Sequence, residues 1–506
     1  MFDIDNLHKY QENNRIEAKK ATGGLPNSVW ETYSAFANTQ GGIILLGVTE
    51  NDDKSLEVSG ISNPEKMIKE FWDTINNQNK VSVNILTDRN VGIQELDGKK
   101  ILCIDVPRAY RHDKPVYVGG NPINGSYRRN WEGDYRCTRE EVQAMFRDAS
   151  HQNADMLVIE EMDIGVLNFE SVHSFRMRMK YSRPGHVWES LDDEDFLLRL
   201  GAVGRGADGN RHPTVAGLVM FGNEFEIVRE FPDYFLDYRE CYDENRWTDR
   251  IVSTSGEWSG NVYDFYFRVY NKLVQDIKTP FKIENGVRVD DSAVHSALRE
   301  ALANCIINAD YHGRQGIVII KQQNQIKMSN PGGFRIDIET AKSGGVSDPR
   351  NTNLMKMFNL IDIGERAGSG IPNIYDVWKK QNWEEPVLFE TFEPERINLV
   401  LPINNLGEEV TIKSDDKKVT IKSDDKKVTI KSDDKKVTIN SKKNLEQKNM
   451  IVQFVREHGS VKNSELCELL GVKSTRIKQL LYELLDEGIL AANGSNKNRT
   501  YSLKLE

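Results

Sequence analysis

The chain has 506 residues, 38% hydrophobic and 28% charged, with a formal net charge of −10; that length exceeds a single core and suggests about three domains. The acidic balance excludes a surface that coats nucleic acid indiscriminately, because phosphate binding draws on clustered Lys and Arg. Cys103, Cys137, Cys241, Cys305 and Cys467 lack the paired spacing of a zinc site or a disulfide framework; with no run of eighteen apolar residues and no basic-then-apolar leader, a cytoplasmic protein with no membrane partner is expected.

Residues 3–14 read as helix or loop. Arg15-Ile16-Glu17-Ala18-Lys19 then alternates as a strand does, with Ile16 and Ala18 on one face and Glu17 and Lys19 on the other. Beyond Gly23-Gly24 and Pro26, residues 29–38 carry Trp30, Tyr33, Phe36 and Ala37 at helical spacing until Gly41-Gly42 breaks it. The apolar run Ile43-Ile44-Leu45-Leu46-Gly47-Val48 predicts a buried strand, 63–76 a helix and 99–106 a strand. A helix over 138–148 opens with the capping-box pattern Thr138-Arg139-Glu140-Glu141. This mixture predicts an α+β domain over residues 1–150.

Three segments of this domain, Glu12-x-x-x-x-Glu17-Ala18-Lys19, Ala35-Phe36-Ala37-Asn38-Thr39-Gln40-Gly41-Gly42 and Leu46-Gly47-Val48, together resemble the Schlafen AlbA-type domain, called divergent AAA in older naming. The resemblance implies DNA or RNA binding, and in the Schlafen branch a metal-dependent RNA endonuclease built on two Glu and an Asp. It would make Glu12 and Glu17 metal ligands and catalytic groups, with Lys19 beside them. Thr49 follows Gly47-Val48 where the third acid is expected, so Glu50 is the candidate ligand, although a one-residue shift at a strand end changes its face. The chemistry is sound without the family name, since paired carboxylates hold a divalent cation and a lysine steadies the charge of phosphodiester cleavage. A Glu17–Lys19 salt bridge on an exposed strand face is the plainer alternative. Nucleic-acid contacts are expected from Arg108, Tyr110, Arg111 and Lys114, and from Tyr127, Arg128, Arg129, Trp131 and Arg136, where cations for phosphates alternate with rings for bases.

Residues 151–285 resemble the connector of such proteins and receive no chemistry. Within them 215–222 reads as a buried strand, and an aromatic-rich helix lies around 263–277. His212 and His312 are expected to be satisfied hydrogen-bonding groups.

The stretch 292–309 is the most informative in the chain. Val294, Ala297, Leu298, Ala301, Leu302, Cys305 and Ile306 recur at three- and four-residue steps, as on an amphipathic helix, while Glu300, Asn304 and Asn308 lie four apart on a neighbouring face. A carboxylate above two carboxamides suits a water, a magnesium ion and phosphate oxygens; a solvated polar stripe is the plainer reading. Downstream, Asn330-Pro331-Gly332-Gly333 and Gly364-Glu365-Arg366-Ala367-Gly368-Ser369-Gly370-Ile371 would let backbone amides approach a polyphosphate. In this order the three segments resemble the nucleotide site of GHKL ATPases, in the version found with RecG-like proteins. The resemblance implies a GHKL-like α/β sandwich over 286–402. In it Glu300 would be the general base and Asn304 the magnesium ligand. Asn308, Asn330, Gly332 and Gly333 would surround the nucleotide, and Gly368, Ser369 and Gly370 would form the phosphate lid. Asn330 stands where the family's adenine-binding Asp is expected, keeping a hydrogen bond without the charge that strengthens it.

Residues 403–443 contain the unit VTIKSDDKK at a nine-residue period, too short and polar to bury a solenoid core, and are read as a linker. Residues 444–506 show a winged helix-turn-helix pattern. It would present Lys473, Arg476 and Lys478 from the recognition helix and Lys497 and Arg499 from the wing. The combined expectation is an α+β multidomain protein that binds ATP with Mg2+ or Mn2+ and binds nucleic acid, acting as a nucleotide-controlled DNA-binding regulator of transcription. A homo-oligomer is expected from the resemblance. The alternative is a metal-dependent endonuclease acting on tRNA or other RNA, as in phage defence. A helicase is excluded because no G-x-x-x-x-G-K-[ST] loop supplies the motor lysine.

Overall fold

A computed structural model describes residues 12–403 apart from 97, 151, 243–246, 276–281, 285–286, 290–291 and 365–367, together with 451, 454–455, 461–462, 466, 477, 480–481, 484, 490–493 and 500–503. The architecture is mixed α and β in several domains. Residues 1–411 form one compact unit and 412–506 another.

The first strand, Ile16–Lys19, lies parallel to Gly42–Leu46, which pairs antiparallel with Lys99–Val106 and through it with Val91–Leu96. Helices Ser28–Asn38 and Pro64–Ile75 cover this sheet with Val29, Tyr33, Phe36 and Phe71 against Ile44, Leu46, Leu102 and Ile104. Leu45, Ile101 and Ile16 fill a second, smaller core with Val48, Leu56 and Val58. The C-terminal end of Ser28–Asn38 also ties down two later segments. The buried Asn38 amide donates to the carbonyls of Val116 (2.8 Å) and Tyr127 (3.0 Å), and Thr39 Oγ1 accepts from the Arg129 amide (3.0 Å). Helix Arg139–Ala149 begins with the capping box expected at Thr138.

The second sheet has six strands in the order Asp249–Val252, Leu236–Cys241, Ile317–Gln322, Gln325–Pro331, Glu395–Pro402, Val387–Phe392. Only Leu236–Cys241 and Ile317–Gln322 are parallel, and their connection carries helices Val262–Val274 and Ala293–Ile307. The stretch 151–285 therefore supplies two strands of this sheet, and one apolar core runs from Ile159 to Leu401. Val215–Phe221 is a helix where the uniform apolar run predicts a strand. Thr214 caps it by accepting from the Gly217 amide, and residues 216–221 are all buried. A run apolar on every side carries no period from which to choose between the two.

Asp155 ties this stretch to the helix Thr352–Leu360, accepting from the amides of Asn353 (2.6 Å) and Leu354 (3.0 Å). Burial, partly opposed by those two bonds, pushes its carboxyl up to about 6, and its other oxygen has no hydrogen-bond partner. A carboxyl raised in the folded state contributes stability that is fully present below about pH 4 and is lost as pH rises through about 6. Asp155→Asn is expected to match the wild type at pH 4 and to exceed it by roughly 1–3 kcal/mol at pH 8. Denaturant midpoints at the two pH values measure the difference, and an Asn variant less stable at pH 8 would contradict it.

In the second unit, Leu490–Asn493 and Val461–Lys462 flank Thr500–Leu503 in a three-stranded antiparallel sheet over a core that includes Ile451, Leu466, Ile477, Leu481 and Tyr501. The expected DNA-facing residues Lys473, Arg476, Lys478, Lys497 and Arg499, and the VTIKSDDKK units, lie outside the described residues.

Candidate nucleotide cavity and nucleic-acid surface

Helix Ala293–Ile307 starts at a Ser292 capping box and buries Val294, Ala297, Leu298, Ala301, Leu302 and Ile306, which turns the polar stripe to a cavity. Asn304 Nδ2 donates to Glu300 Oε1 at 3.2 Å, and Asn308 Nδ2 to the Asn304 carbonyl at 3.0 Å. Helix Gly370–Lys380 begins directly against this stripe. A Cβ at Gly370 would collide with the Glu300 carboxylate and lie 2.9 Å from Asn304 Nδ2, so a larger residue would displace those two side-chain ends. Strand Gln325–Pro331 delivers Asn330, 3% exposed, to the opposite wall. Gly332 follows at φ +91°, a backbone region that favours glycine, where a Cβ would come within 2.8 Å of Arg350 Nη2.

Glu300, Asn304, Asn308, Asn330, Gly333, Gly368 and Gly370 thus line one cavity of about 120 Å3, floored by Met328, Leu388, Ile397 and Leu399. All three expected segments meet there; Glu365, Arg366 and Ala367 lie outside the described residues. The walls offer a carboxylate, three carboxamides, glycine amides and a helix N-terminus over an apolar floor, which suits a flat heterocycle carrying an anion. The volume is below the roughly 300–1,000 Å3 usual for ligand pockets. Cavities of about 380 and 350 Å3 adjoin it, and Arg335 lines all three.

Sequence reasoning missed the charged residues of this wall. Arg350 donates to the Asn308 carbonyl (3.2 Å), the Gly333 carbonyl (2.8 Å) and Asp148 Oδ1 (2.6 Å). Arg335 donates to the carbonyls of Pro349 (2.9 Å) and Asp148 (3.3 Å), with its Nε 3.8 Å from Asp348. Burial tends to raise the Asp310 carboxyl, but Arg350 and Arg147 outweigh it and hold the group below the usual carboxylate range. A cluster Ser347-Asp348-Pro349-Arg350 between two Gly-rich segments was the available signal.

In the N-terminal domain Glu12 accepts from the Ala18 amide at 2.9 Å, and its carboxyl is raised by burial and by the nearby charges of Glu17 and Glu50. The three acids are neighbours, yet they do not form the expected metal site. Glu17 is held by Lys19 (2.7 Å) and Arg129 (2.9 Å), and Glu50 pairs with Lys54 (3.3 Å). Among the described residues no group of three His, Cys, Asp or Glu side chains is arranged to hold a metal ion. Glu17 Oε2, Thr49 Oγ1 and Glu50 Oε1 are nevertheless buried without a hydrogen-bond partner.

The expected basic patch is likewise not an open surface. Arg108 forms a two-point ion pair with Glu390 (2.5 and 3.0 Å) and donates to the Phe334 carbonyl (2.9 Å). Arg111 pairs with Asp348 (2.5 Å) and donates to the Asp148 carbonyl (2.6 Å). Lys114 is half-buried and donates to the Asn38 carbonyl (2.6 Å), and desolvation together with Arg108 pushes its amine down to about 7. Arg128 pairs with Glu141 (3.0 Å) and with Glu393. Arg129 and Tyr127 are buried, and the Tyr127 hydroxyl donates to Glu31 (3.0 Å). Most of these groups form a seam between the first domain and the wall of the cavity. Tyr110, Trp131 and Arg136 remain exposed.

Three known families match parts of the chain: "Schlafen, AlbA_2" over residues 12–138, "Domain of unknown function (DUF8451)" over 143–237, and HATPase_c_4, described as "Putative ATP-dependent DNA helicase recG C-terminal", over 315–400. No curated protein matches. Among solved structures, the DIP2311 protein of Corynebacterium diphtheriae is 15% identical, covering 97% of this chain and 95% of its own, with a TM-score of 0.37. The N-terminal domain of a RecG-related protein from Nitrosomonas europaea is 32% identical, covering 26% of this chain and 90% of its own, with a TM-score of 0.21. No helix among the described residues is long and apolar enough to cross a membrane.

Proposed function

We propose, from matches to the Schlafen AlbA_2 model over residues 12–138 and to the HATPase_c_4 model over residues 315–400, a nucleic-acid-binding protein whose first domain is held by a nucleotide-binding second domain. One observation carries this reading: the cavity lined by Glu300, Asn304, Asn330 and Gly370 shares the wall 333–336 and Asp348 with the seam that Arg108 and Arg111 make from the first domain. A ligand that differs in affinity for two positions of that wall would shift the first domain with it.

In this reading ATP binds with its adenine toward Asn330 and its phosphates toward Gly332, Gly333, Gly368, Ser369 and Gly370. Asn304 and Asn308 face the phosphate side. Magnesium, when bound at Asn304, supplies charge neutralisation for the phosphates. Glu300 orients a water and accepts its proton. ATP is larger than the cavity, so binding draws on the adjoining space behind Arg335. The biological output we assign is control of transcription, with the C-terminal unit as a second DNA contact and a homo-oligomer as the working form.

The test is gel retardation of end-labelled tRNA, single-stranded DNA and duplex DNA, with and without ATP and magnesium. Retardation that changes with ATP supports the proposal; retardation indifferent to ATP, with no ATP bound in calorimetry, overturns it. Fragments that disappear in a Glu17→Ala variant would move the protein to the endonuclease class instead. Glu300→Gln is expected to bind ATP within a few-fold of wild type while any turnover falls by about 10²–10⁴, read by phosphate release; unchanged turnover would remove Glu300 from its role.

A further inference from the structure

Strands Tyr127–Asn130 and Gly133–Arg136 form a hairpin whose two-residue turn is Trp131-Glu132. Trp131 has φ +54°, in the left-handed region that a bulky side chain rarely adopts. Hairpin turns that need such a residue ordinarily use Gly or Asn. The strain is not offset by packing, because Trp131 is 79% exposed. An exposed aromatic ring in a strained turn points to a role outside the fold.

The arm beneath it is rigidly held. Arg129 Nη2 donates to the Asn13 carbonyl (2.8 Å), Nη1 to Asp134 (2.9 Å), and Asp134 accepts from Thr32 (2.6 Å). Tyr135, 54% exposed, lays its ring over Gly133, where a Cβ would come within 2.6 Å of it. Charged groups surround the tip, where the Asn130 side-chain amide also donates to Glu393 (3.2 Å). Lys54, 48% exposed, bridges Glu132 (3.0 Å) and Glu50 (3.3 Å), and Arg15 is exposed two residues from the Asn13 carbonyl that anchors Arg129. The residues next to Trp131 in the turn, Asn130, Glu132 and Gly133, are polar or bare.

We propose that Trp131 is a stacking platform for an unpaired base of single-stranded nucleic acid. The inference rests on the nucleic-acid-binding reading above and names the form of nucleic acid. A ring at a hairpin tip offers its face to a base that is not already stacked, which a single strand has and a duplex interior does not.

The test uses the full chain with Trp131→Ala, Trp131→Gly and Trp131→Phe, and fluorescence anisotropy of labelled single-stranded DNA, single-stranded RNA and duplex DNA at fixed salt. Losing one base stack should weaken single-strand binding by roughly 5- to 150-fold in the Ala and Gly variants, and Phe should restore most of it. Trp131→Gly should melt at or above the wild-type temperature, whereas a structural Trp would lower it. Wild-type protein that binds none of the probes sinks the underlying reading. Wild-type binding that the Ala and Gly variants keep, or that Phe fails to restore, overturns the stacking role alone. Equal losses on duplex and single strand overturn the choice of single strand.

Discussion

Replacing Arg108 by Ala is expected to destabilise the protein by about 3–5 kcal/mol, the cost of leaving a buried ion pair half-made. Its partner Glu390 has no exposed side-chain surface and would keep only the Phe334 amide as a donor once Arg108 is gone. The Phe334 carbonyl also loses its donor. The size of the melting shift reports which body unfolds. With unfolding entropy near 2.1 cal/mol/K per residue, the loss is about 4–6 °C if the first 400 residues melt together and about 10–17 °C if the N-terminal domain melts alone. Arg108→Ala with Glu390→Gln should recover much of the loss, because the orphaned carboxylate is then gone. A single variant within a degree of wild type would mean that the seam holds nothing together.

Gly370→Ala is expected to abolish nucleotide binding with little effect on stability. The added Cβ meets the Glu300 carboxylate and Asn304, so either the helix retreats or those two side chains leave the positions proposed for phosphate and magnesium. Ala also favours the helix over Gly by up to about 1 kcal/mol, which offsets part of the strain. A loss of roughly 100-fold or more in ATP affinity, about 2.7 kcal/mol or more, with a melting point near wild type would fit this account. Unchanged affinity would put the nucleotide elsewhere or nowhere.

The helix carrying Glu300, Asn304 and Asn308 was legible because its signal is local: a cap, a 3.6-residue apolar period and a polar stripe all fall within sixteen residues of one another. The capping box at Thr138 and the strands Ile16–Lys19 and Gly42–Leu46 were readable for the same reason. The fate of the basic loop was not. Arg108 and Arg111 look like phosphate ligands until Glu390 and Asp348 are brought to them from 282 and 237 residues away, and no local charge pattern announces that pairing. Strand Leu236–Cys241 was likewise hidden, since its parallel partner Ile317–Gln322 lies beyond two helices. At Val215–Phe221 the choice of helix rests on Thr214 and on Gly217 packed against the Ala202 backbone, neither of which shows in an unbroken apolar run.

The long reach of the Arg108–Glu390 pair also sets an order of events during synthesis. The N-terminal sheet and its helices need nothing beyond about residue 150, so they can close while the rest of the chain is still being made. At about 5–20 residues per second, the 282 residues between Arg108 and Glu390 take roughly a quarter of a minute to a minute to emerge. For that interval the nascent domain carries its arginine loop without its acidic partners, on a particle made largely of RNA. Completing the second sheet is then also the step that takes this loop away from competing polyanions.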